Sequence, residues 1–284
     1  TLICGVCRTM EGGDPAPLVQ PRSKQNPFVP RSGNRARGNH VLTTGSLPPM
    51  KTKVVTFDCA NTLVRVDWSP GGFALDCARA SGLEVADEDR VPYEQALRSR
   101  WSEYREINET RDDALADAFW RKLTEDWLTG LGHSADLAER LVGVAPELLY
   151  GRESERFVLF EDVLPTLEAL TRHGIRVGVI SNWDYSLHRV LRALDVHHRF
   201  EHVVASLQEG VEKPDPRLFH LTLEKFGVGP GEAVHVGDDP LDDLRGAQDV
   251  GMRAYLIDRR RPDSQAPFLA RLTDLVEALG LISR

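Results

Sequence analysis

Beyond residue 157, short apolar runs alternate with amphipathic helical stretches, and no other feature of the sequence restricts the fold as tightly. The spacing predicts a helix over about 162–173, stopped by Gly174, and then the strand Ile175–Ile180 ending at Ser181. After another helix come the strand His202–Ala205, a helix opening at Pro216, and the strand Ala233–Val236 ending at Gly237-Asp238. A helix over about 241–250 leads to the strand Arg253–Ile257, and an amphipathic helix is expected over about 268–279. Strands that alternate with helices become parallel neighbours joined by crossovers. The expected fold class is therefore α/β, with a doubly wound parallel sheet.

The first strand of this sheet lies far upstream. Lys53-Val54-Val55-Thr56-Phe57 is a β-branched run that ends at Asp58. Residues from about 71 to 155 then read as helical. Pro92 suits a first helical turn. Leu97, Trp101 and Tyr104, and then Leu115, Phe119, Leu123 and Trp127, recur at helical spacing and are expected to pack a core. An insertion of roughly 85 residues is too long for a loop and needs a core of its own. The expected organisation is an α/β core over 50–68 and 156–284, with a helical subdomain over 69–155. The insertion follows the carboxyl end of the first strand, the edge where open α/β sheets bind ligands.

Residues 1–49 differ in composition. They hold seven of the 17 prolines, six basic residues and two acidic ones, which makes them +4 against −12 for residues 50–284. Prolines at this density interrupt helices and central strands, so a disordered extension is expected. It need not belong to the natural product, because the chain starts at Thr1 and Met50 directly precedes the first strand. The pair Cys4 and Cys7 stands without the second pair or histidines of a zinc site. Four cysteines are too few for a disulfide scaffold, and a cytoplasmic location is expected. The net charge of −8 argues against nucleic acid as a partner, and the lack of a long apolar run argues against a membrane. Oligomeric state has no signature in the sequence.

Four polar signals fall at the carboxyl ends of predicted strands: Asp58-Cys59-Ala60-Asn61-Thr62, Ser181-Asn182, Lys213-Pro214-Asp215-Pro216, and Gly237-Asp238-Asp239-Pro240-Leu241-Asp242-Asp243. Singly, each is an ordinary turn or cap. Together they would bring several carboxylates into one crevice, where mutual repulsion calls for a cation. Hard carboxylate oxygens suit Mg²⁺. Lys213 would neutralise a phosphate, and the Ser181 hydroxyl would hold its oxygens. Such a site serves phosphoryl transfer, with Asp58 as nucleophile. The expected partner is a small phosphorylated metabolite. Thr62, Asn182 and Trp183 are candidate substrate-binding residues beside these motifs.

The four motifs, in this order across residues 51–260, resemble those of the haloacid dehalogenase-like (HAD) hydrolase superfamily. The insertion resembles the helical cap that one subfamily carries after its first motif. The resemblance implies a Rossmann-like core, a mobile cap and phosphatase chemistry. It also implies Asp58 as nucleophile, with Ser181 and Lys213 on the phosphate side. Asp58, the Ala60 carbonyl, Asp238 and Asp243 would hold the metal, with Asp239 and Asp242 able to exchange roles with the last two.

One departure from the family bears on chemistry. Most phosphatases of the family carry a second Asp, the general acid/base, where this chain has Ala60. That help is typically worth about 10²–10⁴-fold. Alkyl phosphates should therefore react poorly, and aryl or acyl phosphates should suffer less. Asp67 and Asp184 are candidate replacements. Asn61 occupies the usual Gly position, a milder departure. Two alternatives go with Ala60: a phosphate-binding regulatory protein without turnover, and a metal-independent 2-haloacid dehalogenase. A Schiff-base hydrolase is disfavoured, because Lys122, the only lysine between the first two motifs, has no such surroundings.

Overall fold

Three of the four residues of Val54–Phe57 are β-branched, and all four are buried, so this first strand needs cover on both faces. The structure is a computed structural model that describes residues 51–282; the extension 1–49 and the Cys4–Cys7 pair lie outside them. In chain order the strands are β1 (Val54–Phe57), β2 (Val64–Val66), β3 (Phe157–Leu159), β4 (Arg176–Ser181), β5 (His202–Ala205), β6 (Ala233–Gly237), β7 (Arg253–Ile257) and β8 (Phe268–Leu269). Six of them form one parallel sheet in the order β5-β4-β1-β6-β7-β8. The strand order reverses around β1, and the chain leaves each strand at the same edge, which makes that edge the binding crevice.

Alternate residues of the strands face opposite sides. Val55, Phe57, Val177, Val179, Val234 and Val236 join one apolar cluster, and Val54, Ile180 and Ala233 join another. The first cluster is covered by helices Val163–Arg172 and Ser186–Ala193, the second by helix Pro216–Phe226. This is the doubly wound arrangement expected. Gly178 in β4 lets the sheet approach the last of these helices: a Cβ there would meet the Phe226 ring at 2.7 Å.

The inserted helices are Pro70–Ala80, Arg90–Ser99, Trp101–Glu109, Asp113–Gly130 and Ala138–Tyr150. Ser69 caps the first, with Pro70 at its first position, and Asp112 caps the fourth. Leu75, Leu97, Tyr104, Phe119, Leu123 and Leu128 form a separate apolar core, as an insertion of this length requires. Leu115 departs from the expected stripe and is exposed.

Three further expectations are corrected. The chain enters and leaves the helical insertion through an antiparallel ribbon of β2 and β3, which was not foreseen. Three-residue strands are too short to show alternation. The helix expected over 268–279 shrinks to Asp274–Ala278, because Phe268 and Leu269 pair with Leu256 and Ile257 at the sheet edge. There the amides of Leu256 and Asp258 donate to Pro267 and Leu269. The apolar positions Leu269, Leu272, Leu275 and Val276 are buried here, as an amphipathic helix would also require, so the sequence pattern did not separate the two. The helix expected over 241–250 is divided into a wide π-type turn, Pro240–Arg245, and the short α-helix Gly246–Asp249. Among the described residues no helix is long and apolar enough to cross a membrane.

Candidate active site

All four polar signals meet at the carboxyl edge of the sheet. Asp58 follows β1, the central strand, and its backbone amide extends the ladder by donating to the Val236 carbonyl. Its side chain is buried and accepts two bonds on the same oxygen, Oδ1. One comes from the Ser181 hydroxyl at 2.9 Å, the other from the Lys213 ammonium at 2.7 Å. Lys213 Nζ also donates to Asp243 Oδ1 at 2.6 Å. The ammonium thus bridges two carboxylates in a buried setting. Burial disfavours its charge, but Asp243 and Asp58 outweigh that and raise its pKa.

The π-type turn after β6 presents the last motif. Asp239 is its N-cap, with Oδ1 accepting from the amides of Leu241 and Asp242 at 2.8 Å each. Burial would raise the Asp243 pKa, but Lys213 and His235 hold it well below the carboxylate range. Its Oδ2 also accepts from the Asp239 amide at 2.9 Å. Gly237 makes room for this carboxylate: a Cβ there would lie 2.0 Å from Asp243 Cγ. Asn182 ties the second and third motifs together, donating to the Lys213 carbonyl at 2.9 Å and accepting from the Lys213 amide at 2.7 Å.

Asp58, Asn182, Lys213, Asp238 and Asp243 line one small pocket with Asp239 and Asp242. Asp58, Asp238 and Asp243 each offer an oxygen within 4.8 Å of the others. Burial, then the charges of Asp58 and Asp243, push Asp238 up to about 7. Three hard oxygen donors under mutual repulsion fit a small divalent cation.

The remaining candidates lie outside that pocket. Ala60 is buried and bridges to Val64, and Asn61 has φ 57°, which Asn tolerates better than most residues with a Cβ. The Thr62 carbonyl accepts from Arg259 at 2.8 Å, and its buried hydroxyl has no hydrogen-bond partner among the described residues. Trp183 is 2% exposed and sits in the apolar core, with its indole N–H on Ser186 Oγ and its ring 5.9 Å from that of Phe157. This is a packing position in the core, and Trp183 lines neither pocket. Of the two candidate replacement acids, Asp67 is exposed and lines neither this pocket nor a larger cleft bordered by the inserted helices. Asp184 lines that cleft; burial raises its pKa, and its oxygens accept from Tyr104 Oη at 2.6 Å and the Ser186 amide at 2.8 Å.

His235 was missed by sequence reasoning. It is fully buried inside β6, with Nε2 3.1 Å from Asp243 Oδ1 and Nδ1 2.9 Å from Thr56 Oγ1. The signal was available: a histidine in an otherwise apolar strand two residues before a glycine-aspartate pair.

Comparison with known proteins agrees with this geometry. Residues 52–251 match the haloacid dehalogenase-like hydrolase family. Haloacid dehalogenase-like hydrolase domain-containing protein 3 of Mus musculus is 30% identical over 250 residues, 82% of this chain and 96% of that protein. Phosphoserine phosphatase of Thermus thermophilus is 33% identical over 215 residues, covering 73% and 84% respectively. Among solved structures, a 2-haloacid dehalogenase from Pseudomonas syringae pv. Tomato superposes with a TM-score of 0.56 at 29% identity, over 81% of this chain and 99% of that one. With Asp58 at the end of β1, the bridging lysine and the acidic turn in place and its sequence matched over most of its length, the chain belongs to the haloacid dehalogenase-like hydrolases.

Proposed function

We propose that the protein is a Mg²⁺-assisted phosphomonoesterase that works through an aspartyl-phosphate on Asp58. The observation that carries this reading is the bridging of Asp58 and Asp243 by Lys213, next to an acidic trio with oxygens within 4.8 Å of one another. The phosphatase name of the Thermus thermophilus relative supports it. Asp58, Asp238 and Asp243 would hold the cation, which supplies charge neutralisation for the phosphate oxygens.

The chain's own residues account for the rest. Lys213 and Ser181 orient the Asp58 carboxylate, and Lys213 offsets negative charge that develops on the phosphoryl group. Asp58 attacks phosphorus, the bond from phosphorus to the leaving oxygen breaks, and that oxygen departs with the electron pair. Water then hydrolyses the acyl phosphate, returning Asp58 and releasing inorganic phosphate. Ala60 offers no proton to the leaving oxygen, so departure depends on that oxygen's own acidity.

The test is hydrolysis of 4-nitrophenyl phosphate by the full chain with Mg²⁺, with chelator, and by Asp58→Asn. Turnover only in the first case is expected; equal rates in all three would overturn the proposal. The likeness to the Pseudomonas syringae enzyme, with Ala60, favours a second reading as a 2-haloacid dehalogenase. Chloride release from 2-chloropropionate in the presence of chelator would establish it in place of the first.

A further inference from the structure

A second and much larger space is an open cleft of about 480 Å³, within the size range of small-molecule sites. The segment that follows β4 serves both spaces. Asn182 lines the catalytic pocket, and Asp184, Tyr185 and Ser186, two to four residues on, line the cleft. On the other side Trp68 and Pro70, downstream of Asp58, also line it. The far wall belongs to the inserted helices.

The wall is aromatic. Trp68, Phe73, Tyr93, Trp120, Tyr150 and Phe157 all contribute rings. Its charged groups already have partners. Arg189 makes a two-pronged pair with Asp117 at 2.9 and 3.0 Å, and Tyr185 Oη donates to the same carboxylate at 2.9 Å. Arg121 pairs with Glu139. A ligand bearing many hydroxyls or charges would find few partners here, whereas a flat apolar ring system would find several faces.

A second, chemical observation points the same way. With Ala60 in place of the family's proton donor, position 60 gives no proton to the leaving group, which favours groups that can depart as anions. A phenol, with a pKa of about 10, can do so far more readily than an alkyl alcohol. Acyl phosphates share this advantage but bring no ring to fill the cleft.

Resting on the phosphatase reading above, we infer that the substrates are aryl phosphate monoesters, with the aromatic leaving group seated in this cleft and the phosphoryl group on Asp58. The chemistry is phenolate departure from phosphorus, with the phenolate taking its proton from water afterwards.

The experiment compares 2-naphthyl phosphate with acetyl phosphate, which has an acidic leaving group and no ring. Both are assayed with the full chain and Mg²⁺. The expected KM for 2-naphthyl phosphate is at least tenfold the lower. Filling the cleft with Ala145→Trp, or independently Val142→Trp, should reduce the naphthyl-to-acetyl ratio of kcat/KM at least tenfold. Equal KM values in the wild type, or a ratio untouched by both substitutions, would overturn the inference. Absence of turnover with either phosphate would instead remove the phosphatase reading. Titration calorimetry with 2-naphthylphosphonate then decides the cleft alone: binding that Ala145→Trp weakens tenfold supports the aromatic seat, and no binding to the wild type overturns it.

Discussion

Lys213→Met would remove the charge that bridges two carboxylates of the acidic pocket while keeping most of the side-chain volume. The ammonium lies 2.7 Å from Asp58 Oδ1 and 2.6 Å from Asp243 Oδ1, with side-chain exposures of 2%, 7% and 2% for the lysine and the two acids. Coulomb attraction at these distances is only weakly screened, and deleting one member of a buried ion pair typically costs about 3–5 kcal/mol. We expect a loss of that size for Lys213→Met at pH 7, measured by urea denaturation in chelator. Adding Asp243→Asn removes one of the stranded carboxylates, so the double variant should recover about 1–3 kcal/mol. The pH dependence has a definite sign. Asp243 has a depressed folded pKa, so its stabilising contribution is present above the ordinary carboxylate value of about 3.9 and is lost as pH falls through the folded value. Without the ammonium, burial raises that pKa instead, and the penalty appears as pH rises above the unfolded value. The gap between wild type and Lys213→Met should therefore narrow as pH falls from 7 towards about 4. A cost below about 1 kcal/mol, or a gap constant over that range, would refute the reasoning.

Gly237→Ala would place a methyl 2.0 Å from Asp243 Cγ, so the carboxylate must move away from Lys213 and His235. We expect about 1–3 kcal/mol of destabilisation by denaturant titration, together with a loss of catalytic rate. Tyr104→Phe would delete a hydroxyl that donates to Asp184 and accepts from the Trp120 indole, at 2.6 and 3.1 Å. The expected cost is about 1–3 kcal/mol, read from the same titration. Asp184 has a folded pKa raised by burial, so the stability tied to its proton is present below the unfolded value and declines as pH rises through the folded one. Asp184→Asn should flatten that part of the stability–pH curve, and an unchanged curve would count against the assignment.

Much of the core domain could be read before any coordinates. β5 and β7 run over the expected residues, because buried parallel strands leave short β-branched runs between helix signals. The edge strand Phe268–Leu269 and the β2–β3 ribbon could not be read in this way. Their pairing depends on a neighbour supplied by a distant segment, and two or three residues carry no period. Leu115 shows the reverse problem: it fits the helical stripe, but the insertion's packing leaves that position in solvent.

The site divides along the same line. Asp58, Ser181, Lys213 and Asp238 are visible in the sequence because a parallel sheet delivers every strand's carboxyl end to one edge, so the residues that follow those strands must be neighbours. Which carboxylates the lysine bridges, that His235 supports Asp243 from within β6, that Trp183 belongs to the core, and that aromatic residues of the insertion line a cleft with Asp184 and Tyr185 were settled only by the tertiary structure. Strand order fixes where a side chain begins, but its partners are chosen by packing between distant segments, 155 residues apart for Lys213 and Asp58.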